Sequence, residues 1–171
     1  KLAFIGDGRN NVCNSLMRGC AKAGMDMVDV CPPELAPDPA LFAAAQADAR
    51  RNGCTASVSH DPINGVKGAH VLYTDVWASM GEESAFNQRL ELLRPFQVTM
   101  DMARRTGNLE SGRLIFLHCL PAFHNHDTDM SRECGALEVT DEVFEAPFSK
   151  VFEEAENRMH TIKAMILASL A

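Results

Sequence analysis

The chain has 171 residues, 46% hydrophobic and 23% charged, with a formal net charge of −7. That length supports one domain with a real core, and no apolar run approaches the roughly 20 residues that span a bilayer. The acidic balance argues against nucleic acid as the main partner, which needs a basic face, although a few local arginines can still hold small anions.

The first segment, Leu2–Ile5, predicts a strand ending at Gly6-Asp7-Gly8. The chain starts inside it, without Met and without a signal peptide's long apolar stretch, so it is expected to be a piece of a longer polypeptide. A helix over Val12–Ala23 is stopped by Gly24, and Met27–Val30 is a strand closed by Pro32-Pro33. Pro39–Asn52 is an Ala-rich helix, with Asp38 as its cap and Gly53 past its end. Ala56–Ser59 and Val71–Thr74 are strands, Glu82–Leu93 a helix and Thr99–Ala103 a shorter one. Leu114–Leu117 is a fifth strand, a loop runs from Pro121 to Gly135, and Leu137–Val139 is a short strand. The last helix, Glu153–Leu170, carries Met159, Ile162, Ile166 and Leu170 on one face. Strands alternating with helices predict an α/β fold, a Rossmann-like doubly wound parallel sheet of about five strands with helices on both faces. With no internal repeat, low-complexity tract or linker, residues 1–171 read as one domain.

The six cysteines, Cys13, Cys20, Cys31, Cys54, Cys119 and Cys134, form no CxxC pair or metal-finger spacing. Several sit in apolar context as small core residues, and a chain of this size needs no disulfide staples, so a cytoplasmic location is expected.

Chemistry concentrates where strands end, because ligands bind at the carboxyl edge of open α/β sheets. His118-Cys119-Leu120-Pro121 leaves the fifth strand there. Cys119 reads as a core thiol, as a nucleophile or substrate-contacting thiol, or, with His124, His126 and Asp127 nearby, as part of a metal site. Adjacent strand residues face opposite ways, so His118 and Cys119 do not readily chelate one ion.

Gly6-Asp7-Gly8-Arg9-Asn10-Asn11 resembles a dinucleotide turn, but Asn11 stands where the fingerprint needs its third glycine. Asp29 could imitate the acid that holds a ribose. A tight turn with an Asn cap explains the segment equally, and an amide at this edge also suits a substrate carboxylate or amine. Asp75-Val76-Trp77-Ala78-Ser79-Met80-Gly81 brings an acid to the same edge, able to hold an ammonium or orient an amine; the plainer reading has Ser79 capping the next helix. In Glu156-Asn157-Arg158-Met159-His160-Thr161, Arg158 near a helix start is opposed by the helix dipole, which favours an anionic or carbonyl partner. Its plainer reading is a solvated helical face or an ion pair with Glu154.

Together these segments resemble the C-terminal half of the ornithine carbamoyltransferases. The match also includes Val139-Thr140-Asp141-Glu142-Val143-Phe144-Glu145 and covers essentially the whole chain in the family's order and spacing. The resemblance implies an ornithine-binding domain in which Asn11, Asp75, Ser79, Met80 and Cys119 contact L-ornithine. It implies that the backbone of Cys119 and Leu120, with Arg158, touches the carbamoyl group of carbamoyl phosphate. Catalysis would rest on Cys119, Asp75 and Arg158, with Asp75 and Cys119 orienting the amine and helping to accept its proton, Cys119 positioning rather than attacking. The family needs no metal or organic cofactor and forms trimers or multiples of trimers. Its phosphate-binding Ser-x-Arg-Thr-Arg loop belongs to another domain, so this segment alone is expected to be inactive. The loop from His124 to Gly135 departs from the family by being shorter than in many bacterial relatives and by carrying Cys134. Two other readings stay open: a dinucleotide-binding oxidoreductase with Cys119 as nucleophile, and a module that binds basic amino acids.

Overall fold

The computed structural model describes residues 1–77, 86–127, 132 and 135–170. Five parallel strands, β1 (Leu2–Ile5), β2 (Met27–Val30), β3 (Ala56–Ser59), β4 (Val71–Thr74) and β5 (Ile115–His118), form one sheet in the order β3-β2-β1-β4-β5. The helices are α1 (Asn11–Ala23), α2 (Pro39–Arg51), α3 (Phe86–Leu93), α4 (Met100–Arg105), α5 (Asp141–Phe144) and α6 (Val151–Leu170). The doubly wound α/β expectation therefore holds. The strand order reverses between β1 and β4, which puts the topological switch point between Ile5-Gly6 and Thr74-Asp75.

Both faces of the sheet are covered, so β1 and β2 are buried along their whole length. The period-two pleat sorts their side chains into two cores. Ala3, Ile5, Val28, Leu72 and Phe116 pack with Val98, Met102 and Val143 on one face. Leu2, Phe4, Met27 and Tyr73 pack with Cys13, Met17 and Ala45 of α1 and α2 on the other.

The capping residues set the starts of the helices. Asn10 Oδ1 accepts from Val12 N at 2.6 Å and Cys13 N at 3.3 Å, and Asp38 Oδ1 accepts from Ala40 N and Leu41 N at 2.9 Å each. Gly24 ends α1 at φ 72°, a left-handed conformation that costs glycine nothing.

Several boundaries differ from the sequence reading. β5 includes His118, and Leu137–Val139 makes only a single bridge, Val98 to Val139, rather than a strand. The short helix α5 follows Thr140, where pattern alone gave no helix, because four residues carry too little periodicity to register. The expected start of the helix at Glu82 lies outside the described residues. The last helix begins at Val151, and Phe152, Met165, Leu167 and Leu170 on it are all exposed. Among the described residues, no helix is long and apolar enough to cross a membrane.

Candidate active site

The carboxyl edge at the switch point carries a linked set of polar groups. Asp75 follows the last residue of β4, and Cys119 follows the last residue of β5. The Cys119 thiol donates to Asp75 Oδ1 at 2.9 Å, and Asn10 Nδ2 donates to Asp75 Oδ2 at 2.8 Å. Val76 N also donates to Asp75 Oδ1, at 2.7 Å. Three separate strand-end turns thus place an amide, an acid and a sulfur in contact. Beside them lies a cavity of about 580 Å³ lined by Tyr73, His118, Cys119, Glu154, Asn157 and Arg158.

Electrostatics decides what Cys119 can do. Its burial, then the hydrogen bond to Asp75 and the charges of Asp75 and Glu154, push the thiol up to about 12. A thiol so held is protonated at neutral pH and donates its hydrogen; it is neither a thiolate nucleophile nor a ready base. In this pair the Cys119 thiol is the donor and the Asp75 carboxylate the acceptor.

Arg158 sits two turns into α6, beyond the reach of the helix dipole, so the predicted opposition does not operate. Nor does Glu154 pair with it. Glu154 Oε1 accepts from the Tyr73 hydroxyl at 2.6 Å and Oε2 accepts from His118 N at 3.1 Å. Arg158 is left exposed on the cavity wall. Asn11 opens α1 with its side chain exposed, because the capping geometry turns Asn10, not Asn11, toward Asp75. Leu120 follows Cys119 with φ 48° and a cis bond to Pro121. Ser79, Met80 and Cys134 lie outside the described residues.

His118 points to the opposite face from Cys119, as strand alternation requires. Its Nδ1 accepts from Leu120 N at 2.9 Å, so Nε2 carries the ring proton and donates it to Glu138 Oε1 at 3.2 Å. Sequence reasoning brought Asn10 to this edge as a cap or a substrate-facing amide but missed Tyr73, Glu138 and Glu154 as parts of this region. The signal at Glu138 was a charge within the apolar run Leu137–Val139. The others depend on contacts that no spacing encodes.

The dinucleotide reading does not survive the geometry. Asn10 already occupies the amides at the N-terminus of α1 that a pyrophosphate needs. Asp29 is wholly buried and accepts from the Cys31 thiol at 3.4 Å, where no ribose can reach it. A Cβ at Gly8 would collide with that carboxylate and approach Leu35 O to 2.7 Å, so this glycine makes room for the Asp29 side chain rather than for a cofactor. The cysteines Cys13, Cys20, Cys31 and Cys54 are free and buried. His124 is half-buried, stacked on Phe144 and 2.7 Å from Asp141, whereas His126 is exposed. Among the described residues, His124, Asp141 and Glu145 are the set whose ligand atoms converge within 4.8 Å.

Comparison with known proteins points the same way. Residues 1–169 match the family described as aspartate/ornithine carbamoyltransferase, Asp/Orn binding domain. A catabolic ornithine carbamoyltransferase of Bacillus licheniformis is 52% identical over 176 residues, covering 99% of this chain and 52% of that protein. One from Streptococcus agalactiae, also named catabolic, is 48% identical over 177 residues, with the same coverage. Among solved structures, the ornithine carbamoyltransferase of Pyrococcus furiosus superposes with a TM-score of 0.81 at 38% identity, over 96% of this chain and 48% of that one. That of Gloeobacter violaceus gives 0.79 at 39% identity, over 96% and 49%. The chain spans about half the length of the relatives it matches.

Proposed function

The chain belongs to the aspartate/ornithine carbamoyltransferase family, and from that premise we propose that residues 1–171 are the ornithine-binding domain of an ornithine carbamoyltransferase. The reaction transfers the carbamoyl group of carbamoyl phosphate to the side-chain amine of L-ornithine, giving L-citrulline and phosphate. The observation that carries this reading is the Cys119–Asp75–Asn10 contact at the switch point, beside a cavity that Arg158 overlooks.

The neutral amine attacks the carbamoyl carbon, the new C–N bond forms, and the C–O bond to phosphate breaks with its electron pair leaving on phosphate. Asp75 and the Cys119 S–H orient the amine, and the Asp75 carboxylate takes its proton. Arg158 stabilises the carbamoyl oxygen as it gains charge. Ser79, Met80 and Asn11 complete the ornithine site, and the backbone at Cys119 and Leu120 meets the carbamoyl group. The phosphate is held by the remainder of the longer protein, which also covers the exposed apolar residues of α6. A lone arginine holds a phosphate poorly, so the isolated segment is inactive. The full enzyme is a cytoplasmic homotrimer or a multiple of trimers, needing no cofactor.

The test is steady-state assay of the full-length protein with ornithine and carbamoyl phosphate. Citrulline forms, and Cys119→Ala lowers kcat/KM for ornithine at least tenfold while the melting temperature stays within a few degrees. Wild-type kinetics in Cys119→Ala, or no citrulline from the wild type, overturns the reading.

A further inference from the structure

We infer that Glu138, acting through His118, is a positioning residue for the peptide that joins Cys119 to Leu120. The inference rests on the carbamoyl-transfer reading and deepens it. Both side chains are completely buried. His118 Nδ1 accepts the Leu120 N–H, and Nε2 gives its proton to Glu138 Oε1, which also accepts from Phe123 N at 2.6 Å. Among the described residues, Glu138 Oε2 has no hydrogen-bond partner.

This arrangement is costly. A buried carboxylate with an orphaned oxygen beside an imidazole is the kind of pair that apolar residues replace without loss of stability. Leu120 adds a second cost, since φ 48° is disfavoured for any residue with a Cβ. Neither is required to cover a parallel sheet. Both fall on the one turn that carries Cys119 and Leu120, and local rules broken together in one place mark a site held for function.

The geometry says what is held. The Cys119–Leu120 peptide is trans, so the Cys119 carbonyl points opposite to the Leu120 N–H and therefore away from His118. His118 thus uses up the inward-facing donor and leaves an outward-facing acceptor. That polarity suits the amide hydrogens of a carbamoyl group. Glu138 in turn keeps the ring proton on Nε2. Without that acceptor the proton can move to Nδ1, where it would face the Leu120 N–H donor to donor, and the peptide would lose its anchor.

The test is made in the full-length enzyme. Glu138→Leu lowers kcat for citrulline formation 10- to 100-fold, roughly the cost of losing a residue that orients a site ligand. KM for ornithine changes less than about threefold, because Asp75 is untouched, while the melting temperature falls, because His118 Nε2–H and Phe123 N–H lose their buried acceptor. Glu138→Gln, whose side-chain oxygen can keep both hydrogen bonds of Oε1, recovers at least tenfold of the lost kcat. A Leu variant with wild-type kcat overturns the inference, and so does one whose kcat falls only in step with its melting temperature and is not rescued by Gln. If Glu138→Leu does not fold, His118→Asn and His118→Gln decide. Asn presents an oxygen near the Nδ1 position and Gln near Nε2, so Asn keeps at least tenfold more kcat; equal values overturn the inference. A wild type that makes no citrulline overturns the proposed function itself, whereas a normal wild type beside an unimpaired Leu variant overturns only the positioning role.

Discussion

Tyr73 on β4 donates its hydroxyl to Glu154 Oε1 on α6 at 2.6 Å, joining positions 81 residues apart. The other oxygen of Glu154 takes the backbone N–H of His118 at the end of β5. One carboxylate therefore ties the last helix to two adjacent strand ends, and Arg158 lies one helical turn further on. Burial, then the Glu154 carboxylate, pushes the Tyr73 phenol above its ordinary value, which keeps it a donor. Tyr73→Phe leaves Glu154 Oε1 without that donor and destabilises by ~1–2 kcal/mol. Chemical denaturation of the two proteins measures it, and an unchanged midpoint contradicts the role of this contact.

The Cys119 thiol provides a pH test. With the thiol at about 12, the thiolate fraction at pH 8 is about 10⁻⁴, against roughly a quarter for an unperturbed thiol of pKa about 8.5. Iodoacetamide labelling of Cys119 is accordingly slow at pH 7 and rises roughly tenfold per pH unit up to pH 10. Asp75→Asn removes both the charge and the acceptor that hold the proton, and speeds labelling at fixed pH. A plateau near pH 9 in the wild type would show an ordinary thiol.

Asn10 serves α1 and Asp75 at once, and two substitutions separate those tasks. Asn10→Ala loses the cap, at about 1 kcal/mol, together with the hydrogen bond to Asp75. Asn10→Ser keeps a capping oxygen but has no amide to reach Asp75, so it recovers the stability and not the site. Both variants raise KM for ornithine in the full-length enzyme. A normal KM in Asn10→Ser would show that the contact with Asp75 is incidental to binding.

Asp29 makes stability depend on pH. Burial raises its carboxyl from 3.8 to about 7. Between those values the folded chain holds a proton that the unfolded chain has lost. Stability therefore falls as pH climbs through that window, and the loss is complete above about 7. Its size is about 4 kcal/mol. Asp29→Asn keeps the shape without the charge, so it flattens the dependence between pH 5 and 8 and is the more stable protein at pH 8. Urea titrations at several pH values check this; parallel curves for the two proteins would assign the pH dependence to other groups.

Much of the architecture was legible because it is written locally. The apolar runs Leu2–Ile5 and Met27–Val30 marked buried strands, and Asp38-Pro39 marked the start of α2. Strand alternation alone sets His118 and Cys119 on opposite faces. The strand-end placement of Asp75 and Cys119 followed from the same patterns, since both lie just past recognisable apolar segments. Short or weakly periodic pieces were less readable: α5 has four residues, and the early residues of α6, Val151 and Phe152, precede the apolar stripe of Met159 and Ile162.

By itself, then, the order of residues determined the strands, the helices, the edge at which chemistry gathers and the family resemblance. Only the tertiary structure decided that Asn10 rather than Asn11 meets Asp75, that Glu154 serves Tyr73 and His118 rather than Arg158, and that Glu138 lies under the His118 turn. The reason is distance along the chain. Periods of two and 3.6 residues are local signals, whereas Cys119 finds Asp75 across 44 positions and Asn10 finds it across 65. In a parallel sheet, neighbouring strand ends meet only after long crossovers have packed, so their partners are set by the assembled core and not by any window of sequence.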